Sequence, residues 1–297
     1  MVNIVRIILG VFTAGFAVIF GKDYINRKNN GTLDNASVGK STITGFIANF
    51  FDTLGIGSFA PTVAMTKAFK NDIPDKIMPG TLNVANTIPV VTEAFIFTTV
   101  IEVEPITLIS LLAAATIGSY FGAGIMSKLD ERKVQLVMGF ALAVTAVLMF
   151  VALPQINLMP IGGDAIGLTG AKLAIGVVGN FILGVLMTAG VGLYAPCMAL
   201  VYFLGMSPRV AFPIMMGSCA MLMPVASAKF VKEGAYSPIA SLWITIGGVV
   251  GVLIAAFIVK TLPMDILKVL VVIVVAFTAV TMIRAGLKNT SVEENTK

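Results

Sequence analysis

Two short stretches of this sequence share an unusual pattern of glycine and proline. Residues 55–61 have the sequence GIGSFAP, and residues 190–196 have the sequence GVGLYAP, 135 positions later. Both lie inside long apolar segments, where glycine allows a turn and proline suits the first position of a new helix. A helix that begins at mid-membrane presents unpaired N–H groups and the positive end of its dipole. Two such helix starts together could bind an anion without the cost of burying a lysine.

The same glycines have a simpler interpretation, as small residues that only let helices pack closely. Duplication of the whole motif favours a binding site, in which the two helix starts meet around a pseudo-two-fold axis. The residues that would let the backbone approach the ligand, or would open the two helices, are Gly55, Gly57, Pro61, Gly190, Gly192 and Pro196.

Polar side chains accompany both turns. Asn83 and Asn86 lie one helical turn apart and therefore share a helix face. In lipid, such groups more often join neighbouring helices by hydrogen bonds than bind a ligand, so both interpretations stay open here. The polar residues that we place at the binding site are Ser58, Asn83, Asn86, Thr87, Tyr194, Cys197 and Ser218.

Three ionisable residues lie deepest in apolar sequence: Asp52, Glu93 and Lys229. A charge inside a membrane span is by default a functional hypothesis. Asp52 or Glu93 could take up a proton and couple anion movement to the proton gradient, and Glu93 is the better candidate because it is central in its segment. Lys229 lies near a segment boundary, where its side chain can extend to the membrane surface. Alternatively, the two acids simply pair with a lysine.

Composition places these motifs in a membrane protein. Of 297 residues, 57% are hydrophobic and only 12% are charged, and the mean hydropathy is +0.97. A soluble domain could not bury so much apolar surface. The net charge of +5 comes from residues in short loops between apolar runs, which indicates membrane orientation and not nucleic-acid binding. The sequence has no histidine, which removes His-based metal sites and Ser-His-Asp catalysis, so we expect no metal site and no enzymatic activity.

The apolar segments fall into two similar halves. IGSYFGAGI (117–125) matches IGGVVGVLI (246–254), and ALAVTAVLMF (141–150) matches VVAFTAVTMI (274–283), in the same order as the two turns. Each half then contains one broken segment and three ordinary spans. We predict five parts: an N-terminal helix with a basic loop, a first repeat, a connecting loop, a second repeat and a polar tail, over residues 1–40, 41–153, 154–170, 171–287 and 288–297.

The positive charges decide between parallel and inverted repeats. If every segment crosses the membrane once, lysines and arginines divide evenly between the two sides. If each broken segment enters and leaves on the same side as a hairpin, 15 of the 20 lie inside. The hairpin model makes the two repeats inverted, a recurring architecture of transporters with broken helices. The predicted fold is therefore an all-α polytopic membrane protein with two inverted repeats, preceded by one N-terminal helix.

With these motifs, the chain resembles the sulfite exporter TauE/SafE family of bacterial permeases. The resemblance rests on the duplicated GIGSFAP and GVGLYAP turns, each followed by a proline-containing loop (IPDKIMPG and MSPRVAFP) and a helix of small and polar residues, and it covers most of residues 43–286. The family commonly has a Gly-Gly-rich first turn and a Gly-Thr-Ser stretch on the next helix. This chain instead has Gly57-Ser58, Gly80-Thr81 and Gly217-Ser218, which leaves the particular substrate open.

The resemblance implies transport of a small sulfur-containing anion, such as sulfite, sulfoacetate or a related sulfonate, across a prokaryotic inner membrane without a cofactor. A midplane site and rocking of one repeat against the other would give alternating access. The expected partners are that anion and the lipid bilayer; assembly into a homo-oligomer is left open. The alternatives are a drug/metabolite-type transporter of organic substrates, an anion channel without a coupling acid, and an intramembrane enzyme, for which no nucleophile–base pair is evident.

Overall fold

The computed structural model describes residues 2–54, 56–97, 103–151, 163–257 and 264–294, together with residues 153, 156 and 158. The described chain is helical, with no strand beyond one isolated bridge between Ala165 and Met206. This confirms the all-α prediction. The α-helices are α1 (Val2–Asn29), α2 (Val38–Thr53), α3 (Phe59–Ala68), α4 (Met78–Phe97), α5 (Pro105–Met126), α6 (Glu131–Val151), α7 (Gly170–Thr188), α8 (Tyr194–Phe203), α9 (Pro208–Lys232), α10 (Pro238–Phe257) and α11 (Met264–Glu294), with a short 3₁₀ helix at Asp75–Ile77.

Six helices of the described chain are long and apolar enough to cross a membrane. They lie in α1, α5, α6, α7, α9 and α10. Their outward faces carry large exposed hydrophobic side chains, such as Phe121, Phe140 and Val178, which lipid can solvate. The chain is a multi-pass membrane protein.

Each broken segment forms a hairpin of two helices. In the first hairpin, α2 and α3, the Asn71 side chain just after α3 accepts from the Ser37 backbone N–H (2.8 Å) and donates to the Ser41 hydroxyl (3.0 Å), both at the start of α2. In the second hairpin, α7 and α8, the Ser207 N–H beyond α8 donates to the Ala165 carbonyl (2.8 Å), just before α7. Each hairpin segment thus returns to the end of the bundle from which it entered.

The two hairpins open at opposite ends of the bundle. Helix α9 begins directly after Ser207, at the open end of the second hairpin. It finishes near Ser237, whose N–H donates to Thr81 at the start of α4, on the side where the first hairpin opens. With 25 residues, α9 is about 37 Å long and separates the two ends. The hairpin tips therefore approach each other in the middle of the bundle.

Close packing of the hairpin arms depends on glycine. Helix α2 packs along α10, and α7 packs along α5. A methyl group at Gly45 of α2 would collide with the Ile244 carbonyl oxygen, and one at Gly184 of α7 with the Ala115 carbonyl oxygen. These glycines let the helix backbones touch, as small residues do in membrane proteins. The hairpins are thereby fixed to the long helices that surround them.

Three helices show features that the sequence did not predict. The N-terminal helix and its basic loop were predicted over residues 1–40 without a boundary between them; α1 continues to Asn29, and Asp23 near its end accepts from Arg27 (2.7 Å) and from the Tyr236 hydroxyl. Helix α4 continues through Pro89, and α9 through Pro213 and Pro224. Proline inside a helix removes one hydrogen bond, and contacts with neighbouring helices in a bundle can make this tolerable.

Candidate functional site

A cavity of about 260 Å³ lies where the two hairpin tips meet. Both tips contribute its walls, and helices α4, α6, α9 and α11 close the rest. The lining residues are Asp52, Leu54, Ile56, Gly57, Ser58 and Phe59 of the first tip; Met187, Gly192, Leu193, Tyr194 and Met198 of the second; and Val90, Thr145, Met149, Met215, Cys219 and Val272 of the surrounding helices.

Each tip ends where a new ten-residue helix begins. Helices α3 and α8 start at Phe59 and Tyr194, so Pro61 and Pro196 are their third residues and not, as expected, their first. Proline is also tolerated at the third position, because the N–H groups of the first helical turn lack intrahelical partners and the missing N–H therefore removes no hydrogen bond. The first bonds inside these helices come from the N–H groups of Thr62 and Cys197. Both helix N-termini face the cavity with unpaired N–H groups.

Glycine makes the turns possible. Gly57 has φ +91° and Gly190 has φ +101°, in the left-handed region that disfavours other residues. Gly192 has no neighbour that a Cβ would meet, so a side chain there would extend into open space beside the cavity. Gly55, the remaining glycine of the predicted site, lies outside the described residues.

Asp52 is the acidic residue of the cavity wall. It lies at the end of α2 and is 3% exposed, and the hydroxyl and backbone N–H of Ser58 are close enough to stabilise its negative charge. Its Oδ2 atom has no hydrogen-bond partner among the described residues. A buried oxygen without a partner costs free energy, so this atom is a candidate to bind a proton.

Glu93 lies directly behind the cavity. Its two carboxylate oxygens accept from the hydroxyl of Thr53 (2.9 Å) and from the hydroxyl of Tyr194 (3.4 Å), one residue from each hairpin. Glu93 is fully buried and lies close enough to Asp52 for the two charges to interact. The described part of the chain pairs neither acid with a lysine. Lys229 pairs instead with Glu233, at the end of α9 (2.7 Å).

The buried amides and hydroxyls of α4 and α9 connect helices. Asn86 accepts from Asn49 of α2 (2.9 Å), and Ser218 accepts from Asn180 of α7 (2.9 Å). The Thr87 hydroxyl lies 2.7 Å from that of Ser227. These are the interhelical hydrogen bonds that the sequence left as one of two interpretations.

The structure thus brings together one part of the predicted site. Asp52, Gly57, Ser58, Gly192 and Tyr194 line the cavity. The other residues of the predicted set that the structure describes are not among the lining residues: Pro61, Asn83, Asn86, Thr87, Glu93, Gly190, Pro196, Cys197 and Ser218. Among these, Asn83 donates within its own helix to Pro79 (2.9 Å), and its Oδ1 has no partner among the described residues.

Sequence reasoning missed the methionines of the cavity wall. Four methionines and a cysteine line the cavity: Met149, Met187, Met198, Met215 and Cys219. Methionine in an apolar segment carries no signal by itself. The offset of 135 between the two turns could have identified one of them, because Met187 is the counterpart of Asp52. By the same offset, Leu193 is the counterpart of Ser58.

The cavity wall carries one carboxylate and several hydrogen-bond donors. No group of three or more histidine, cysteine, aspartate or glutamate residues in the described part of the chain could hold a metal ion. The available donors are backbone N–H groups at two helix N-termini, together with hydroxyls. These features, in a helical bundle that crosses the membrane several times, define a membrane permease.

Comparison with known protein families identifies the family of permeases to which the chain belongs. The model of the sulfite exporter TauE/SafE family matches residues 2–149 and 172–297, nearly the whole chain, and the chain belongs to this family. No curated protein and no solved structure matched the chain.

Proposed function

We propose that this protein is a secondary transporter that moves a small sulfur-containing anion, such as sulfite, sulfoacetate or a related sulfonate, across the prokaryotic cytoplasmic membrane. The observation that carries the proposal is the meeting of two helix N-termini at one central cavity. Such termini bind anions through free N–H groups and the helix dipole. The family of membrane transporters to which the chain belongs supports a sulfur-containing anion as substrate and argues against an enzyme.

Alternating access is the proposed mechanism, with two inverted repeats as its basis. The pairing of helices supports this: α2 packs on α10, while its counterpart α7 packs on α5, the counterpart of α10. The hairpins open at opposite ends, as inversion requires. Rocking of one repeat against the other would expose the central cavity to each side in turn.

We propose that Asp52 and Glu93 couple transport to protons. Both are buried, and neither has a lysine partner in the described chain. Glu93 contacts both hairpins through Thr53 and Tyr194, so a proton on Glu93 changes hydrogen bonds that join the two moving parts. A carboxylate in this position can link proton uptake to movement.

The wall of the cavity supports a sulfur compound as substrate. Thioether and thiol sulfur atoms are soft and polarisable. They contact the exposed sulfur of sulfite or thiosulfate more favourably than the strongly hydrated oxygens of phosphate. The apolar side chains among them suit the short carbon chain of a sulfonate.

Ligand-dependent stability of the purified protein is the first test. A ligand that binds only the folded state at 100 times its Kd stabilises that state by about 2.7 kcal/mol. We expect the melting temperature to rise with sulfite, thiosulfate or sulfoacetate and not with phosphate, acetate or cationic drugs. A response to organic cations alone would contradict the proposal and favour a drug/metabolite transporter.

Flux into proteoliposomes tests the coupling. Glu93→Gln keeps the shape of the side chain and removes its ability to exchange a proton. We expect this variant to bind the anion but to lose accumulation driven by a pH gradient. Anion flux and pH-driven accumulation that are both unchanged in Glu93→Gln would identify a channel or a different coupling residue.

A further inference from the structure

The N-terminus of α3 already has an anion beside it. The hydroxyl and backbone N–H of Ser58, the residue that precedes α3, stabilise the negative charge of the Asp52 carboxylate. A carboxylate near a helix N-terminus is stabilised by the free N–H groups and by the dipole. Asp52 therefore occupies the place that a substrate anion would take at the first tip.

The N-terminus of α8 has no such group. The counterparts of Asp52 and Ser58 are Met187 and Leu193, and both line the cavity. The backbone N–H groups of Gly192, Leu193 and Tyr194 have no backbone acceptor among the described residues. Leu193 cannot cap the helix with its side chain. The second tip thus offers unpaired donors without a competing carboxylate.

The groups that face Asp52 add no positive charge. Besides Ser58, its charge interacts with Glu93 of α4, the Tyr194 hydroxyl of α8 and the Cys219 thiol of α9. No lysine or arginine is among the residues that line the cavity. An anion at the second tip therefore meets the negative charge of the acids across the cavity, unless these acids carry protons.

We propose that the two tips have different tasks: the transported anion binds at the N-terminus of α8, and Asp52 is an internal anion that holds the N-terminus of α3. Asp52 lines the same cavity and has a buried Oδ2 atom without a partner among the described residues, so the anion enters together with a proton that comes from the solvent and resides on the Asp52–Glu93 pair. This inference rests on the proposed function. It assigns the binding tip and the coupling tip within it.

Thiosulfate binding to the full-length protein in detergent, measured by calorimetry, tests this assignment. Thiosulfate is a suitable probe because its own charge does not change between about pH 6 and about pH 8, the range compared here. Asp52→Asn removes the competing charge. Gly192→Ala adds a methyl group beside the α8 N–H groups, where no atom lies within 4 Å. Gly39→Ala, at an equally open position at the start of α2, is the matched control.

We expect the wild-type protein to bind thiosulfate more tightly at the lower pH. Asp52→Asn should increase the affinity at about pH 8 at least about tenfold and reduce the pH dependence, since a like charge a few ångströms away is lost. Gly192→Ala should weaken binding about tenfold at both pH values by excluding the anion from the N–H groups, and Gly39→Ala should match the wild type. As a second variant of the tip, Met187→Asp should weaken binding most at the higher pH.

Two results would overturn the assignment, and they differ. If Asp52→Asn weakens binding at both pH values while Gly192→Ala leaves it unchanged, the anion binds at the first tip and only this inference fails. If the wild-type protein binds neither thiosulfate nor sulfite at either pH, the proposed function fails as well.

Discussion

The two hairpins are built alike in their arms and differently at their open ends. In both, glycines of the long arm contact the backbone of a neighbouring helix. At the open end of the first hairpin, side chains make the contacts. Asn71 joins the end of α3 to the start of α2, while Asp75 pairs with Lys67 of α3 and accepts from Gln135 of α6 (2.9 Å). At the open end of the second hairpin, backbone groups make the contacts. The segment before α7 and the segment after α8 are joined by backbone hydrogen bonds of Gly163, Ala165 and Ser207.

Because of this difference, we expect the two ends of the protein to respond differently to salt and to single substitutions. Ion pairs that are partly exposed weaken with salt, and a single substitution can remove them. Backbone hydrogen bonds keep their donors and acceptors whatever the side chain. The end that is held by side-chain contacts is thus the one whose stability can be altered by the salt concentration and by point mutation.

The largest loss of stability should come from substitutions in the arms, where the two hairpins are alike. We predict that Gly45→Ala and Gly184→Ala each destabilise the protein by about 3 kcal/mol, because a methyl group forces two helix backbones apart. The measurement is the loss of folded protein on heating or titration with denaturant in detergent. Gly39→Ala, on the same helix as Gly45 with open space around it, should change stability by less than about 1 kcal/mol.

A clear difference between Gly45→Ala and Gly184→Ala would contradict the equivalence of the two arms. It would mean that one hairpin moves freely against its neighbouring helix while the other is fixed.

The second-largest loss of stability should come from a substitution at the open end of the first hairpin. We predict that Asp75→Ala destabilises the protein by about 2 kcal/mol, since it leaves the Lys67 ammonium and the Gln135 amide without this acceptor. The value is intermediate because the Asp75 side chain is 9% exposed while that of Lys67 is 35% exposed. Asp72→Ala, at an exposed position of the same loop, is the matched control and should be neutral.

The stability of the two open ends should depend differently on salt concentration. The stability difference between wild type and Asp75→Ala should shrink as salt concentration rises, because salt screens only the wild-type ion pair. At the second hairpin, Gly205→Ala should lower stability by about 1 kcal/mol at every salt concentration. Its φ of +85° strains any other residue, and this strain does not depend on charge. An equal salt response of the two variants would contradict the comparison.

The sequence could predict the hairpins and the location of their tips, because glycine and proline act on the backbone of their own segment. It could not predict which polar side chains reach the cavity. Asn86 and Thr87 lie on the helix where the sequence placed them, but the packing of α2 and α9 directs them to other helices. Met187 escaped notice since an apolar residue in an apolar segment gives no signal until its counterpart Asp52 is seen to line the same cavity.

The smallest effect should come from the entrance to the second hairpin, where Glu104 precedes α5. Its carboxylate accepts from the Thr107 hydroxyl (2.7 Å), the Thr107 N–H (2.7 Å) and the Ile106 N–H (3.1 Å), and these bonds lower the pKa of Glu104 below its usual value. Thr107 in turn accepts from the Leu168 N–H (2.8 Å), just before α7. Glu104 thus positions a side chain that holds the start of the hairpin.

A folded-state pKa below the unfolded one makes the ionised form stabilising. The contribution of Glu104 is therefore fully present above the unfolded pKa, near 4.5, and is lost as the pH falls through the lower pKa of the folded state. We predict that Glu104→Gln lowers the melting temperature at neutral pH by a small amount, and that the difference from wild type disappears in acid. A difference that persists unchanged at low pH would show that Glu104 acts through its shape and not through its charge, and this end of the hairpin would then be as insensitive to the medium as its backbone bonds are.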